Sequence, residues 1–433
     1  MGMKWTKEQS KVITLRDRNI LVSAAAGSGK TAVLVQRILS KIMDPDRPVD
    51  IDRLLIMTFT RAAAGEMKER ISNAIDQALY ENPDNEHLQR QAALIHNAQI
   101  TTIDGFCSYI IRNYFHMVEL DPGYRTAEEG ELKLLQEDVM KDLLEQAYEE
   151  ADPKFLSLVE CYASGKSDDE IRDMVYKLYQ AAMSHPYPEE WLEECMEVYR
   201  VQTIEELRET NWIQLLWETL DEKMDQAEAL TEDARKLCAD PDGPYFYDEA
   251  LSDDLNFWRE VRRLRETKDY DKVADILSGH TFAKLSAKRD SSIDPVKKEQ
   301  AKELRDEEKE ICKELSTKFF NQKEEIILEL IACACEPLEG LVELTLQFKE
   351  AFARKKREKN LLDFTDMEHF ALRILVEKVD GELIPTQAAR ELSEKYEEVM
   401  VDEYQDSNFV QELITTMVSG WVEKRKNIFM VGD

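Results

Sequence analysis

The segment AAAGSGKT (residues 24–31) constrains this chain more than any other, because of what flanks it. A short apolar run at 20–22 precedes it, and a helical pattern with Val33, Leu34, Ile38 and Ile42 on one face follows. A strand that turns through Gly27 and Gly29 into a helix aims the N–H groups of the turn at one point, and the helix N-terminus adds its positive end. Phosphate oxygens fit such a cradle. Lys30 then reaches the outer phosphates of a nucleotide and Thr31 offers an oxygen to Mg²⁺. Ala24 stands where the general pattern GxxxxGK[ST] has its first glycine.

The strand-then-helix rhythm recurs. LLIMTF (54–59) runs into AAAGEMKERISNAIDQAL, and a third strand near 99–103 runs into FCSYIIRNYF. Strands alternating with helices imply a parallel α/β sheet. From about 125 to 345 the chain reads as almost wholly helical, broken by DPDGPY (240–245) and SAKRDSSIDPVKKEQ. Strands return at EEVMVDE (397–403) and NIFMVG (427–432). The expected architecture is an α/β domain with a parallel sheet, built from residues 1–120 and 346–433 and interrupted by an all-helical insertion over 121–345.

VMVDEYQD (399–406) puts two acids at the end of an apolar strand, on the edge of the sheet where α/β proteins hold ligands. Asp402 is placed to hold Mg²⁺ with Thr31, and Glu403 to orient or deprotonate a water attacking the terminal phosphate. The other reading, two surface acids at a strand end, loses ground because the phosphate cradle is present in the same chain.

The net charge of −32 argues against a polyanionic partner only if it is spread evenly. It is not. Residues 1–115 carry 15 Lys/Arg against 13 Asp/Glu, a net +2, which leaves −34 for the remainder. A groove answers to local charge, so DNA binding is permitted but not demanded. Phe59, between Thr58 and Thr60, reads either as a core residue or as a ring for base stacking, with Thr58, Thr60 and Arg61 on phosphates. Thr102 and Asp104 carry the same two readings. RKKREK (354–359) is a solvated helix face or a DNA contact. The seven cysteines form no CxxC pair, and Cys333 and Cys335 read as small packed hydrophobes. Scattered thiols fit a reduced, cytoplasmic setting. No signal-peptide run follows the N-terminus, and no apolar stretch of about 18 residues suggests a membrane span. The ending at Val431-Gly432-Asp433, directly after a strand, reads as a chain cut short.

Taken in order, these motifs resemble the UvrD/Rep-like branch of superfamily 1 DNA helicases, and within it the AddA-type subunits of bacterial helicase–nucleases. WTKEQ (5–9) is similar to the family's adenine-reading motif, which makes Gln9 the adenine contact. AAAGSGKT is similar to motif I, whose cofactor-binding positions are Ala24, Ala25, Ala26, Gly27, Ser28, Gly29, Lys30 and Thr31; the leading alanine is a family trait. TFTRAAAGEMKERI (58–71) and TTIDGFC (101–107) resemble two DNA-contacting motifs. They carry Thr58, Phe59, Thr60, Arg61, Thr102 and Asp104, the last standing where many relatives have His. DEYQDSN (402–408) resembles motif II and adds Gln405 to the catalytic set of Lys30, Asp402 and Glu403. VGD (431–433) resembles the opening of motif III, and REKNLLDFTDMEH (357–369) carries the AddA likeness.

The resemblance implies a RecA-like P-loop NTPase domain, ATP and Mg²⁺ as cofactors, single-stranded and duplex DNA as partners, and an AddB-like second subunit. It further implies an ATP-driven helicase working in double-strand-break repair and recombination. The second RecA-like domain, its arginine finger and the nuclease domain of such proteins do not occur in these 433 residues, so slow hydrolysis and no unwinding are expected of them alone. A UvrD-like or RecB-like helicase, and a non-catalytic DNA-binding module, are the alternatives.

Overall fold

The computed structural model describes residues 4–25, 27–118, 120–121, 123–163, 167–421 and 423–433. The chain forms two compact units. One comprises Met1–Phe155, Tyr162–Leu192 and Leu341–Asp433; the other comprises Leu156–Cys161 and Glu193–Gly340. The helices over 129–192 therefore associate mainly with the sheet-bearing unit.

The first unit is built on five strands: β1 (Ile20–Ser23), β2 (Leu54–Thr58), β3 (Gln99–Thr102), β4 (Glu398–Val401) and β5 (Ile428–Gly432). All pair in parallel, in the order β1-β5-β4-β2-β3. The helices that matter to the site are α1 (Lys7–Thr14), α2 (Lys30–Ile42), α3 (Arg61–Glu81) and α4 (Ile103–Tyr114). α2, α3 and α4 each begin within a few residues of the strand before them, so their N-termini gather at one sheet edge.

Burial on both faces explains why the strands read as unbroken apolar runs. Leu54 and Ile56 face Ile38, Ile71 and Phe429, whereas Leu55 and Met57 face Phe106, Ile110 and Ile414. The alternation has the period of two that strand geometry demands. Each fully buried side chain of this kind stabilises by about 1.5–3 kcal/mol.

One ionic group lies inside this core. Arg37 (0% exposed) donates to both Glu398 oxygens at 2.6 and 3.3 Å, and to the Val12 carbonyl at 2.6 Å. Lys41 Nζ stands 3.3 Å from Glu398 Oε2, and burial pulls the Lys41 pKa down against that attraction. The network ties α1, α2 and β4 together.

The second unit is helical. α5 (Asn211–Ala239), α6 (Asp248–Glu266) and α7 (Pro295–Glu314) pack around Trp217, Leu220, Met224, Trp258 and Phe320. The polar stretch over 280–294 lacks regular structure. Two small sheets escaped the sequence pattern: Arg125–Thr126 beside Leu361–Leu362, and the hairpin of Val376–Val379 with Glu382–Pro385. Cys333 is exposed and Cys335 half-buried, so the packing expected of them is not realised. No helix among the described residues is long and apolar enough to cross a membrane.

Candidate functional site

Because the five strands are parallel, Ser23, Thr58, Thr102, Val401 and Gly432 all end on the same edge. β5 lies between β1 and β4, so the loop after β1 and the acids after β4 meet across its C-terminal end.

The loop after β1 turns through left-handed backbone at Gly27 (φ +80°) and Gly29 (φ +85°), a region that favours glycine. Gly29 is the N-cap of α2, and no side chain caps that helix, so its first N–H groups stay open. Two loop N–H groups are already engaged: Ala24 donates to Gly432 O at 3.0 Å, and Ser28 to Ala25 O at 3.2 Å. Ala26 lies outside the described residues.

Gln9 braces this loop. Its Oε1 accepts from the Thr6 N–H at 3.0 Å, closing a capping box on α1, and its Nε2 donates to Ser28 O at 3.2 Å. A cavity of about 350 Å³ opens beside it, lined by Gln9, Val12, Ser23, Ala24, Lys30 and Phe429.

Lys30 Nζ pairs with the Asp433 carboxylate and stands 3.9 Å from Glu403 Oε2. The Asp433 hydrogen bond, helped by the charges of Glu403 and Asp402, raises its pKa, so Lys30 is held as a cation. Asp402 is 8% exposed and its N–H donates to Met57 O at 2.9 Å. Burial, then the Glu403 charge, raise the Asp402 carboxyl pKa. Glu403 adopts left-handed backbone (φ +55°), which costs a non-glycine residue about 1–2 kcal/mol. Gln405 holds the result: Nε2 donates to Glu403 Oε2 at 2.8 Å, and Oε1 accepts from the Asp433 N–H at 3.2 Å. Asp433 was not among the residues singled out by sequence, although VGD was; only the β1–β5 pairing brings it to Lys30.

A second cavity of about 380 Å³ is lined by Thr31, Thr58, Phe59, Thr60, Asp402 and Glu403. Thr31 and Asp402 thus line one space, and their hydroxyl and carboxylate are the oxygen donors a hard divalent cation takes.

The DNA-side candidates divide. The Thr58 hydroxyl is buried and donates to Thr60 O at 3.0 Å. Thr60 Oγ1 caps α3 by accepting from the Ala63 N–H at 3.1 Å, and Thr102 Oγ1 caps α4 by accepting from the Gly105 N–H at 3.1 Å. Phe59 is 62% exposed and Arg61 is exposed, so these two remain free to meet a ligand. Asp104 is half-buried near Arg61 and Glu368; burial raises its pKa and the Arg61 charge opposes this. Glu368, unmarked by the sequence pattern, is buried and accepts from Gln411 Nε2 at 2.6 Å and Asn408 Nδ2 at 3.0 Å. It clamps the segment that follows DEYQD.

A cavity of about 350 Å³, a cationic Lys30 and two strand-end acids meet at one edge of a parallel α/β sheet, and the chain belongs to the UvrD/REP helicase N-terminal domain family, whose description matches residues 5–433. More particularly, it is 47% identical to the A subunit of the ATP-dependent helicase/nuclease of Lachnoclostridium phytofermentans, over 99% of this chain and 31% of that protein. Identity to the protein of the same name is 42% in Clostridium perfringens, over 100% of this chain and 34% of that one. It is 39% in Bacillus pumilus, over 99% and 35%. The chain thus spans about a third of the length of the curated relatives it matches.

Proposed function

We propose that this chain is the nucleotide-binding part of an ATP-dependent DNA helicase, and that the whole protein is a helicase/nuclease of the AddA type. Such a protein couples ATP hydrolysis to movement along single-stranded DNA and to duplex unwinding in double-strand-break repair, with an AddB-like partner. In this reading the sheet is that of a RecA-like P-loop domain, and the helical segment is an insertion within it. The observation that carries the proposal is the meeting of Lys30, Asp402, Glu403 and Gln405 at the end of β5, beside a cavity of about 350 Å³.

In this reading the site residues divide the chemistry. The uncapped N–H groups at the start of α2 and the Lys30 ammonium would balance phosphate charge, with Lys30 exchanging its Asp433 partner for a phosphate oxygen. Glu403 Oε2, aimed by Gln405, accepts a proton from the attacking water. Thr31 and Asp402 would hold Mg²⁺, which when bound neutralises charge on the β- and γ-oxygens. Phe59 stacks on a base of the DNA strand while Arg61 meets its backbone.

Titration with a fluorescent ATP analogue, with Mg²⁺ and with EDTA, tests the metal assignment. Mg²⁺ strengthens binding to the native chain about tenfold or more, and Asp402→Asn removes that increment while leaving metal-free binding in place. An Asp402→Asn chain with the full Mg²⁺ increment contradicts the assignment.

A further inference from the structure

The helix α8 (Glu324–Glu358) begins in the helical unit, which holds it through Gly340. Between Lys323 and Lys349 the sequence has no cation, and eight of the nine residues over 326–334 are apolar. A helix apolar on all sides is normally covered on all sides. This one is covered on one side only. Ile327, Leu328 and Ile331 pack on the core around Trp217 and Leu220. Ile326 (42% exposed), Leu330 (60% exposed) and the exposed Cys333 stand at i, i+4 and i+7, which form one row along the helix.

A second row runs beside the first. Glu325, Glu329 and Glu336 are exposed, and none makes an ion pair among the described residues. Their spacing keeps them on one flank of the apolar row. Glu325 and Glu329, four residues apart, repel each other. Elsewhere in the unit exposed acids find cations on their own helix: α7 pairs Glu299 with Lys302, Asp306 with Lys309 and Glu310 with Lys313. The start of α8 has no cation of its own, so its carboxylates stay unbalanced next to apolar surface in water. Such a row repels a phosphate backbone and an anionic lipid surface alike. It attracts Lys and Arg. At the rise of an α-helix the apolar row is about 10 Å long and the acidic row about 16 Å. Both lengths and both spacings match a second helix laid alongside, with an apolar seam bordered by cations, as seam and flank are arranged in paired helices.

We propose that this face of α8 docks an amphipathic helix of another protein, with the partner's apolar seam on Ile326 and Leu330 and a row of its Lys or Arg side chains on Glu325, Glu329 and Glu336. The surface is separate from the Lys30 edge, and the proposal does not depend on the nucleotide reading.

The test is fluorescence anisotropy of two labelled synthetic peptides of about three heptads, each with a leucine seam, one flanked by Lys and Arg and the other by Glu. Like charges on both flanks keep either peptide from pairing with itself. The native chain is compared with Ile326→Ser/Leu330→Ser, with Glu325→Gln/Glu329→Gln/Glu336→Gln, and with Leu134→Ser, which removes an exposed leucine of the sheet-bearing unit. All these positions are exposed, and circular dichroism verifies that each variant is folded. The native chain binds the basic peptide about tenfold or more tightly than the acidic one, and the double and triple variants each lose about tenfold or more while Leu134→Ser loses nothing. Added salt weakens binding to the native chain and has little effect on the triple variant. A benzophenone on the peptide seam, cross-linked by light, labels the tryptic fragment 324–349. A native chain that binds neither peptide, or both equally, overturns the proposal, as does a double variant that binds like the native chain. If sedimentation finds the native chain dimeric and the double variant monomeric, a second copy covers the face and the proposal falls. If the double variant instead loses affinity for oligo(dT), the face belongs to DNA and the proposal falls as well.

Discussion

Phe59 leaves the sheet one residue after β2 ends, and that single step decides its role. Thr58 is still buried at 3% exposure, whereas the Phe59 ring is 62% exposed. Truncating an exposed ring opens no cavity, so Phe59→Ala leaves the stability to urea within about 0.5 kcal/mol of the native chain. Its oligo(dT) affinity falls by the equivalent of about 1–3 kcal/mol, the usual worth of one stacked base. Unfolding curves and anisotropy on the same samples check both parts. The sequence placed Phe59 correctly beside its threonines but left core and ligand roles open, because a ring at a strand end has the same pattern either way. For Thr60 and Thr102 the pattern concealed a local duty: both hydroxyls cap helices, which any Ser, Thr, Asp or Asn there can do. Gln9 was marked only through the family resemblance, as an adenine contact; its bond to Ser28 O required the fold to bring α1 against the loop.

Among the elements, the strands were the most legible. LLIMT and VMV are unbroken apolar runs, as short strands buried on both sides are. Glu398 is the exception within β4: a carboxylate at 3% exposure, satisfied by Arg37 and Lys41. Removing it strands two buried cations. Glu398→Ala therefore destabilises the sheet-bearing unit by about 3–5 kcal/mol, the range for breaking a buried pair from one side. Glu398→Gln, which keeps a hydrogen-bonding group in place, costs less. Urea denaturation of both variants measures this, and equal, small losses contradict the structural role given to the network. Neither this network nor the two-residue pairing of Arg125–Thr126 with Leu361–Leu362 was legible, since each joins residues more than two hundred positions apart with no periodicity to mark them.

At the scale of the whole molecule, acid excess and buried acid act together. In the helical unit, Glu308 is fully buried and accepts from Trp258 Nε1 at 2.8 Å, near the Arg305–Asp254 pair. Burial, with the nearby Asp254 charge, raises its pKa from 4.5 to about 7. The folded chain therefore binds a proton that the unfolded chain releases between these values. The stabilisation is fully present below about pH 4.5 and is lost as pH rises through about 7. Glu308→Gln mimics the protonated acid. It matches the native chain near pH 5 and exceeds it at pH 8 by an amount on the order of 3 kcal/mol, with the difference growing through that interval. Denaturation at the two pH values checks the sign, and a variant less stable at pH 8 contradicts it. The net charge of −32 is itself uneven at this scale: residues 1–115 carry a net +2, and the acid excess lies in the remainder of the chain.

In the proposed function, the turn between β1 and α2 binds nucleotide phosphate through Lys30. The most direct measurement is titration of a fluorescent ATP analogue with Mg²⁺ against the native chain and Lys30→Ala, with circular dichroism confirming that both are folded. The native chain binds saturably at one site and the variant about a hundredfold or more weakly, as expected when a charge-assisted hydrogen bond to phosphate is removed. Equal affinity in the two folded proteins rules out a phosphate contact by Lys30.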